Sequence, residues 1–183
     1  SDGSQPLIVR GLSSSSKRVK RLKLIKSNNK SQLYFDGRFY KEYSSSLIDK
    51  LRITSRDSRG IWFKNRRYRG ELRIRYAPKS LLVVNHVGIQ NYLTSVVASE
   101  MPKNWPITAL KAQAIAARTY ALRQIEKQSK KKALFDIKAN EASQVYLGIE
   151  SETDSTSKAV RLTRSLVMKY RGELINAVFH SSS

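Results

Sequence analysis

The sequence predicts an α+β fold, with a β-rich N-terminal part followed by a helix-containing core. Three observations carry this. Short apolar runs bounded by turn residues fill the chain up to about residue 85. Apolar residues at helical spacing begin at about residue 88. Turn signals at Asp36-Gly37 and Arg171-Gly172 each separate two apolar runs. The chain has 183 residues, 40% of them hydrophobic, which is enough to bury a core and disfavours wholesale disorder.

The elements follow in order. Residues 1–32 are rich in Ser, Lys, Arg and Asn, with a strand expected around Leu22, Leu24 and Ile25. Leu33-Tyr34-Phe35, Asp36-Gly37 and Phe39-Tyr40 read as a hairpin. Strands are expected at Ile61-Trp62-Phe63, at 72–76 and at 81–84; in 72–76 apolar and basic residues alternate, giving one buried and one cationic face. Ile89, Leu93, Val96 and Val97 place a short helix that must end near Glu100-Met101, because Pro102 disfavours helix just before it. A second helix is expected from Pro106 to about Gln128, with Ile107, Leu110, Ala114, Ala117 and Ala121 along one stripe. Residues 143–147 read as a strand closed by Gly148, 155–165 as a helix, and 166–170 with 174–179 as a hairpin. No internal repeat is present. The division expected is a basic, β-rich region over 1–65, to which no motif assigns a role, and a second domain over 66–183.

The formal charge is +21 and is unevenly spread: residues 1–80 hold 21 Lys/Arg against 6 Asp/Glu, residues 81–183 hold 14 against 8. The excess favours a polyanionic partner, whether nucleic acid, an anionic membrane surface or a wall polymer, and equally fits a solvated basic surface. The absence of cysteine excludes disulfides, thiol catalysis and Cys-based zinc sites. No apolar run approaches the roughly 18–20 residues that span a bilayer. The sequence starts at Ser1 and stops at Ser183 within an expected strand, so it reads as part of a longer protein.

Glu100 is the most informative ionisable residue. It follows Val96 and Val97 by four and three positions, on an apolar helical face, at a helix C-terminus where the dipole disfavours negative charge. Both features favour the protonated form that a general acid needs. Trp105 is placed to supply an apolar or sugar-stacking wall. The spacing alone leaves open a helix-end carboxylate that points into water. Glu141, Glu150, Glu152 and Asp154 lie in polar, loop-like sequence, and Asp136 and Glu173 complete this inventory. Ordinary glycosidases need two carboxyl groups; a lytic transglycosylase needs one, because the sugar's own 6-hydroxyl is the nucleophile. No Gly-x-Ser-x-Gly elbow supports a Ser–His hydrolase around His180, and P-loop, Rossmann and His-Glu-x-x-His patterns are absent. The basic clusters, Lys17–Lys26 and Arg66-Arg67-Tyr68-Arg69, lack any accompanying nucleic-acid motif.

Residues 91–102 (Asn-Tyr-Leu-Thr-Ser-Val-Val-Ala-Ser-Glu-Met-Pro) with Trp105-Pro106, residues 109–121, Gln144-Val145-Tyr146 with Gly148, and Phe179–Ser183 together resemble the SpoIID/LytB family over about residues 80–183. The resemblance implies a SpoIID-like catalytic core, incomplete at its C-terminus, in a secreted or membrane-tethered, extracytoplasmic protein acting on peptidoglycan. It implies Glu100 as the catalytic acid. Gln113, Arg118, Tyr120, Tyr146, His180 and Ser181 match motif positions and are assigned, with Trp105, to the substrate cleft or its support. Peptide-stripped glycan strands are the implied substrate and a cell-wall amidase the implied protein partner. Any membrane contact would run through a segment outside this sequence. Some relatives carry Cys or His just before Gln-Val-Tyr; Ala142 and Ser143 stand there here, so no metal and no cofactor is expected. The rivals are a non-catalytic amidase-enhancing wall module and, less favoured, a nucleic-acid-binding protein.

Overall fold

A computed structural model describes residues 5–77, 80–102, 104–140 and 143–179. It has both strands and helices, with the strands concentrated first, so the α+β class holds. The chain forms two compact units, residues 1–87 and 88–183.

The first unit is antiparallel β-structure. Its strands are β1 (Leu7–Arg10), β2 (Lys17–Val19), β3 (Leu22–Ser27), β4 (Lys30–Phe35), β5 (Arg38–Ser44), β6 (Arg52–Ser55), β7 (Ile61–Phe63), β8 (Arg66–Tyr68), β9 (Glu71–Ala77) and β10 (Ser80–His86), with one helical turn, α1 (Ser45–Ile48), between β5 and β6. A five-stranded sheet runs β10-β9-β6-β1-β2, a three-stranded sheet β3-β4-β5, and β7-β8 is a separate hairpin. The β4–β5 turn has positive φ at both Asp36 and Gly37, as a two-residue hairpin turn requires. Alternate residues point inward: Leu72 and Ile74 of β9 are buried, and Arg73 and Arg75, which alternate with them, are less so, as the apolar/basic alternation implies. The core gathers Val9, Val19, Leu33, Tyr43, Ile48, Leu51, Ile53, Ile61, Leu72 and Ile74.

Of the strands over 66–86, which the sequence predicts in the second region, β8 pairs with β7, and β9 pairs with β10 and β6; the division between the two compact units falls after them, at residue 87. The change of periodicity near residue 88 coincides with the division between units.

The second unit is built on α2 (Ile89–Glu100), α3 (Ile107–Lys130) and α4 (Asp154–Leu162), each packed on the other two. Pro102 lies two residues past the end of α2, and the α2 ladder closes with Met101 N–H on the Val97 carbonyl. Pro106 is the N-cap of α3, and the helix proper starts one residue later than expected. Leu110, Ala114, Ala117 and Ala121 are fully buried along the anticipated stripe; Ile107, at its head, is exposed. Small side chains on that stripe let α2 and α4 approach. Thr153 caps α4 in a reciprocal box with Thr156. The segment at 143–147, expected as a strand, pairs with no other strand, and leads through Gly148 (φ 81°) into a single 3-10 turn, Ile149–Ser151. The closing hairpin is reduced to β11 (Lys169–Tyr170) and β12 (Glu173–Leu174), with positive φ at Arg171 and Gly172 in its turn. No described helix is long and apolar enough to cross a membrane.

Candidate active site in the helical unit

Glu100 ends α2, half-buried, and its Oε1 accepts the backbone N–H of Val145 at 2.7 Å. That bond gives the Val145 N–H a side-chain partner on α2 in place of a neighbouring strand. Ser95 donates its hydroxyl to the Gly148 carbonyl at 2.8 Å and also contacts the Ser151 hydroxyl. Tyr92 donates to Gln144 Oε1 at 2.8 Å, and Gln144 Nε2 donates in turn to the Ala117 carbonyl on α3 at 3.1 Å. Tyr92, Ser95 and Glu100 lie within about two turns of one helix, and together they fasten an otherwise unladdered strap.

Gln144 is fully buried, so both ends of its amide need partners, and both have them. The Tyr92 ring stands 5.1 Å from that of Tyr146, which is 8% exposed. Burial pushes the Tyr92 phenol well above its ordinary range, and Tyr146, Tyr120 and Glu100 add to the effect by opposing a negative charge beside them. Glu100, Tyr92, Tyr120, Tyr146 and Gln144 therefore share one neighbourhood.

The other sequence-predicted residues fall differently. Trp105 lies in the turn before α3 with its indole 47% exposed, and its backbone N–H reaches the Pro102 carbonyl. Gln113 is half-buried on α3, four residues before Ala117; its Nε2 is buried without a hydrogen-bond partner among the described residues. Arg118 is only 2% exposed. Its guanidinium donates to the carbonyls of Val160 (3.2 Å), Leu166 (3.1 Å) and, more weakly, Ala114. Val160 is one of the last residues of α4, so Arg118 satisfies a carbonyl that the helix end leaves unpaired. Burial lowers its pKa, yet an arginine remains protonated, and a cation at a helix C-terminus is favourably placed. This geometry makes Arg118 a brace between α3 and α4. His180 and Ser181 lie outside the described residues.

Tyr92, Ser95, Gln144 and Val145 lie within the motif stretches of the sequence, which assign them no role of their own. Their signal was a set of polar residues, Tyr92, Ser95 and Ser99, interleaved with the buried stripe of α2, since a polar group on a buried helical face must have a partner. The amide has no side-chain signature.

Comparison with known proteins gives a coherent result. The sequence profile described as Stage II sporulation protein (SpoIID) matches residues 77–170. The chain is 41% identical over 91 residues to a Bacillus subtilis protein named Amidase enhancer, covering 50% of this chain and 12% of that protein. It is 31% identical over 113 residues to Stage II sporulation protein D of Bacillus subtilis, covering 55% of this chain and 33% of the relative. An uncharacterised protein of Brachyspira hyodysenteriae is 41% identical over 100 residues, 55% of this chain and 27% of its own length. The chain thus spans a third or less of these curated relatives. No solved structure matches.

Proposed function

Because the chain belongs to the Stage II sporulation protein (SpoIID) family, we propose that it is an extracytoplasmic lytic transglycosylase that cleaves peptidoglycan glycan strands with Glu100 as its single acid/base. The observation that supports this most directly is the 2.7 Å bond from Val145 N–H to Glu100 Oε1. A backbone N–H can only donate, so Oε1 is an acceptor whether the carboxyl is charged or neutral. The exchangeable proton then belongs on Oε2, to which no described residue donates. The bond restrains the carboxyl group and leaves Oε2 as the oxygen that would act on substrate, an arrangement compatible with general acid catalysis.

The chemistry closes with one carboxyl group. Oε2–H protonates the glycosidic oxygen between N-acetylmuramic acid and N-acetylglucosamine as the anomeric C–O bond breaks. The muramic acid 6-hydroxyl then attacks the anomeric carbon of the oxocarbenium-like species, and its proton returns to Glu100. A 1,6-anhydro sugar results, no water is consumed, and the enzyme regains its starting protonation state. Tyr120, Tyr146 and Gln113 are assigned to the wall of the cleft and Trp105 to its rim.

The test is mass spectrometry of peptide-stripped glycan strands after incubation with the full-length protein. Anhydro-ended products that vanish with Glu100→Gln are expected; their persistence in that variant overturns the mechanism. The 41% identity to a protein named Amidase enhancer favours one second reading, a wall-bound partner that stimulates a cell-wall amidase. On that reading stimulation is indifferent to Glu100→Gln and no anhydro product forms from the unsubstituted protein.

A further inference from the structure

The first unit carries 21 Lys/Arg against 6 Asp/Glu, a net of +15. Its described carboxylates are all occupied internally. Asp36 accepts the backbone N–H groups of Lys20 and Arg21, and Asp49 that of Tyr76. Glu42 pairs with Lys30, Asp57 with Arg59, and Glu71 with Arg73 and Arg52. The cationic excess is therefore balanced from outside, by small ions or by an anionic polymer.

One face of this unit has the form to use that excess. In the β3-β4-β5 sheet, Leu22, Leu24, Leu33 and Phe35 pack against the core, so Lys23, Gln32 and Tyr34 point the other way. Lys23 is the cross-strand partner of Tyr34, and Tyr34 that of Phe39. The register of β4 against β5 shifts between Leu33 and Tyr34, passing over Tyr40. That bulge sets Phe39 beside Tyr34 on the outward face instead of into the core. The result is a row of three side chains across three strands. Lys23 Nζ lies 5.9 Å from the Tyr34 ring centre, and the Phe39 ring stands edge-on to Tyr34 at 5.6 Å, with Phe39 58% exposed. The Tyr34 hydroxyl donates to Gln32 Oε1, which fixes that amide with its NH₂ as the remaining donor.

An aromatic pair presents a negative π-surface that suits the C–H face of a pyranose ring. An amide donor and an ammonium group beside it suit an acetamido carbonyl and a carboxylate. We propose that the outward face of the β3-β4-β5 sheet, centred on Lys23, Tyr34 and Phe39, is an accessory binding surface for an anionic glycan, holding peptide-stripped strands through their sugar faces and lactyl carboxylates. The identity of the glycan rests on the reading of the protein as a wall enzyme. The face lies in the other compact unit from Glu100, so it acts as a separate hold on the polymer.

The test measures binding of peptide-stripped glycan strands to the full-length protein carrying Glu100→Gln, so that nothing is cleaved during the measurement. Phe39→Ala and Lys23→Ala, each checked for an unchanged melting curve, are expected to weaken binding by about fivefold or more. Neutral N-acetylglucosamine oligomers, which lack the lactyl carboxylate, are expected to bind more weakly than the stripped strands. Unchanged affinity in both variants overturns the proposal; if the protein with Glu100 intact still yields anhydro products, the cleavage reading stands without it. Binding lost in both variants upholds the surface even where no cleavage is seen. Equal affinity for the neutral oligomers overturns the assignment of an anionic ligand. Tighter binding of oligothymidylate, lost through the same substitutions, overturns it in favour of nucleic acid. A self-association abolished by Phe39→Ala overturns it in favour of a second copy.

Discussion

Tyr92 on α2 and Gln144 on the 143–148 strap are joined by a 2.8 Å hydrogen bond from phenol to amide oxygen, and the same amide continues to the Ala117 carbonyl on α3. One glutamine thus ties two helices to the segment that positions the Glu100 carboxyl. Tyr92→Phe leaves the buried Gln144 oxygen without its donor, which should lower stability by about 1–3 kcal/mol. Denaturant unfolding checks this. The same variant should reduce turnover more than substrate affinity, because the strap carries the amide that orients Glu100.

The raised pKa of Tyr92 has a definite sign. The neutral phenol is favoured in the folded state, so its contribution is fully present below the unfolded tyrosine value of about 10 and is lost as pH rises from there towards the folded value. Unfolding free energy should therefore fall as pH rises above about 10, and Tyr92→Phe should flatten that fall. Tyr43, in the first unit, is also raised by burial, so the difference between wild type and variant is the measurement that isolates Tyr92.

Arg118→Met should be among the most destabilising changes in the second unit. It removes the guanidinium that donates to the Val160 and Leu166 carbonyls, and at Val160 only the longer bond from the Thr163 hydroxyl remains, at a cost on the order of 3 kcal/mol. Arg118→Lys should rescue only in part, since a single ammonium cannot reproduce the guanidinium fork. A brace predicts that glycan affinity per folded molecule is unchanged in both variants, and calorimetry alongside thermal melts checks it.

Replacing Val145 by its α-hydroxy acid deletes the donor to Glu100 while keeping the side chain. Turnover should drop by roughly tenfold or more with little change in KM, since what is lost is alignment of the acid. Steady-state kinetics on glycan strands reads this directly.

Gly11 has φ +94°, and an added Cβ would sit 1.9 Å from the Lys50 carbonyl oxygen. Gly11→Ala should destabilise the first unit by more than about 2 kcal/mol, seen as an earlier melting transition.

The sequence makes the helices easier to read than the strands. Pro102 and Pro106 punctuate α2 and α3, and the Leu110–Ala121 stripe needs only a 3.6-residue period. β6, with Ile53 its one apolar residue, does not stand out in Ser- and Arg-rich surroundings, and β1, though its Leu7-Ile8-Val9 run is apolar, is only four residues long; both become strands through their pairing in the sheet. The segment at 143–147 has strand composition but meets the side chains of α2 instead of another strand edge. The place of Glu100 at the end of α2 was legible because Pro102 and the apolar spacing before it are both written locally. Its partner is not, because a backbone N–H 45 residues away has no residue type to betray it.

The way the strap is attached affects how it tolerates mutation. Strand pairing is a zipper in which a one-residue slip inverts every side chain. Here the fastenings are discrete: Tyr92 to Gln144, Glu100 to Val145, Ser95 to Gly148. An insertion in the stretch between Lys132 and Ser143 would be absorbed upstream of the first rivet, so loop length there can drift over evolutionary time while the Glu100–Val145 bond is kept.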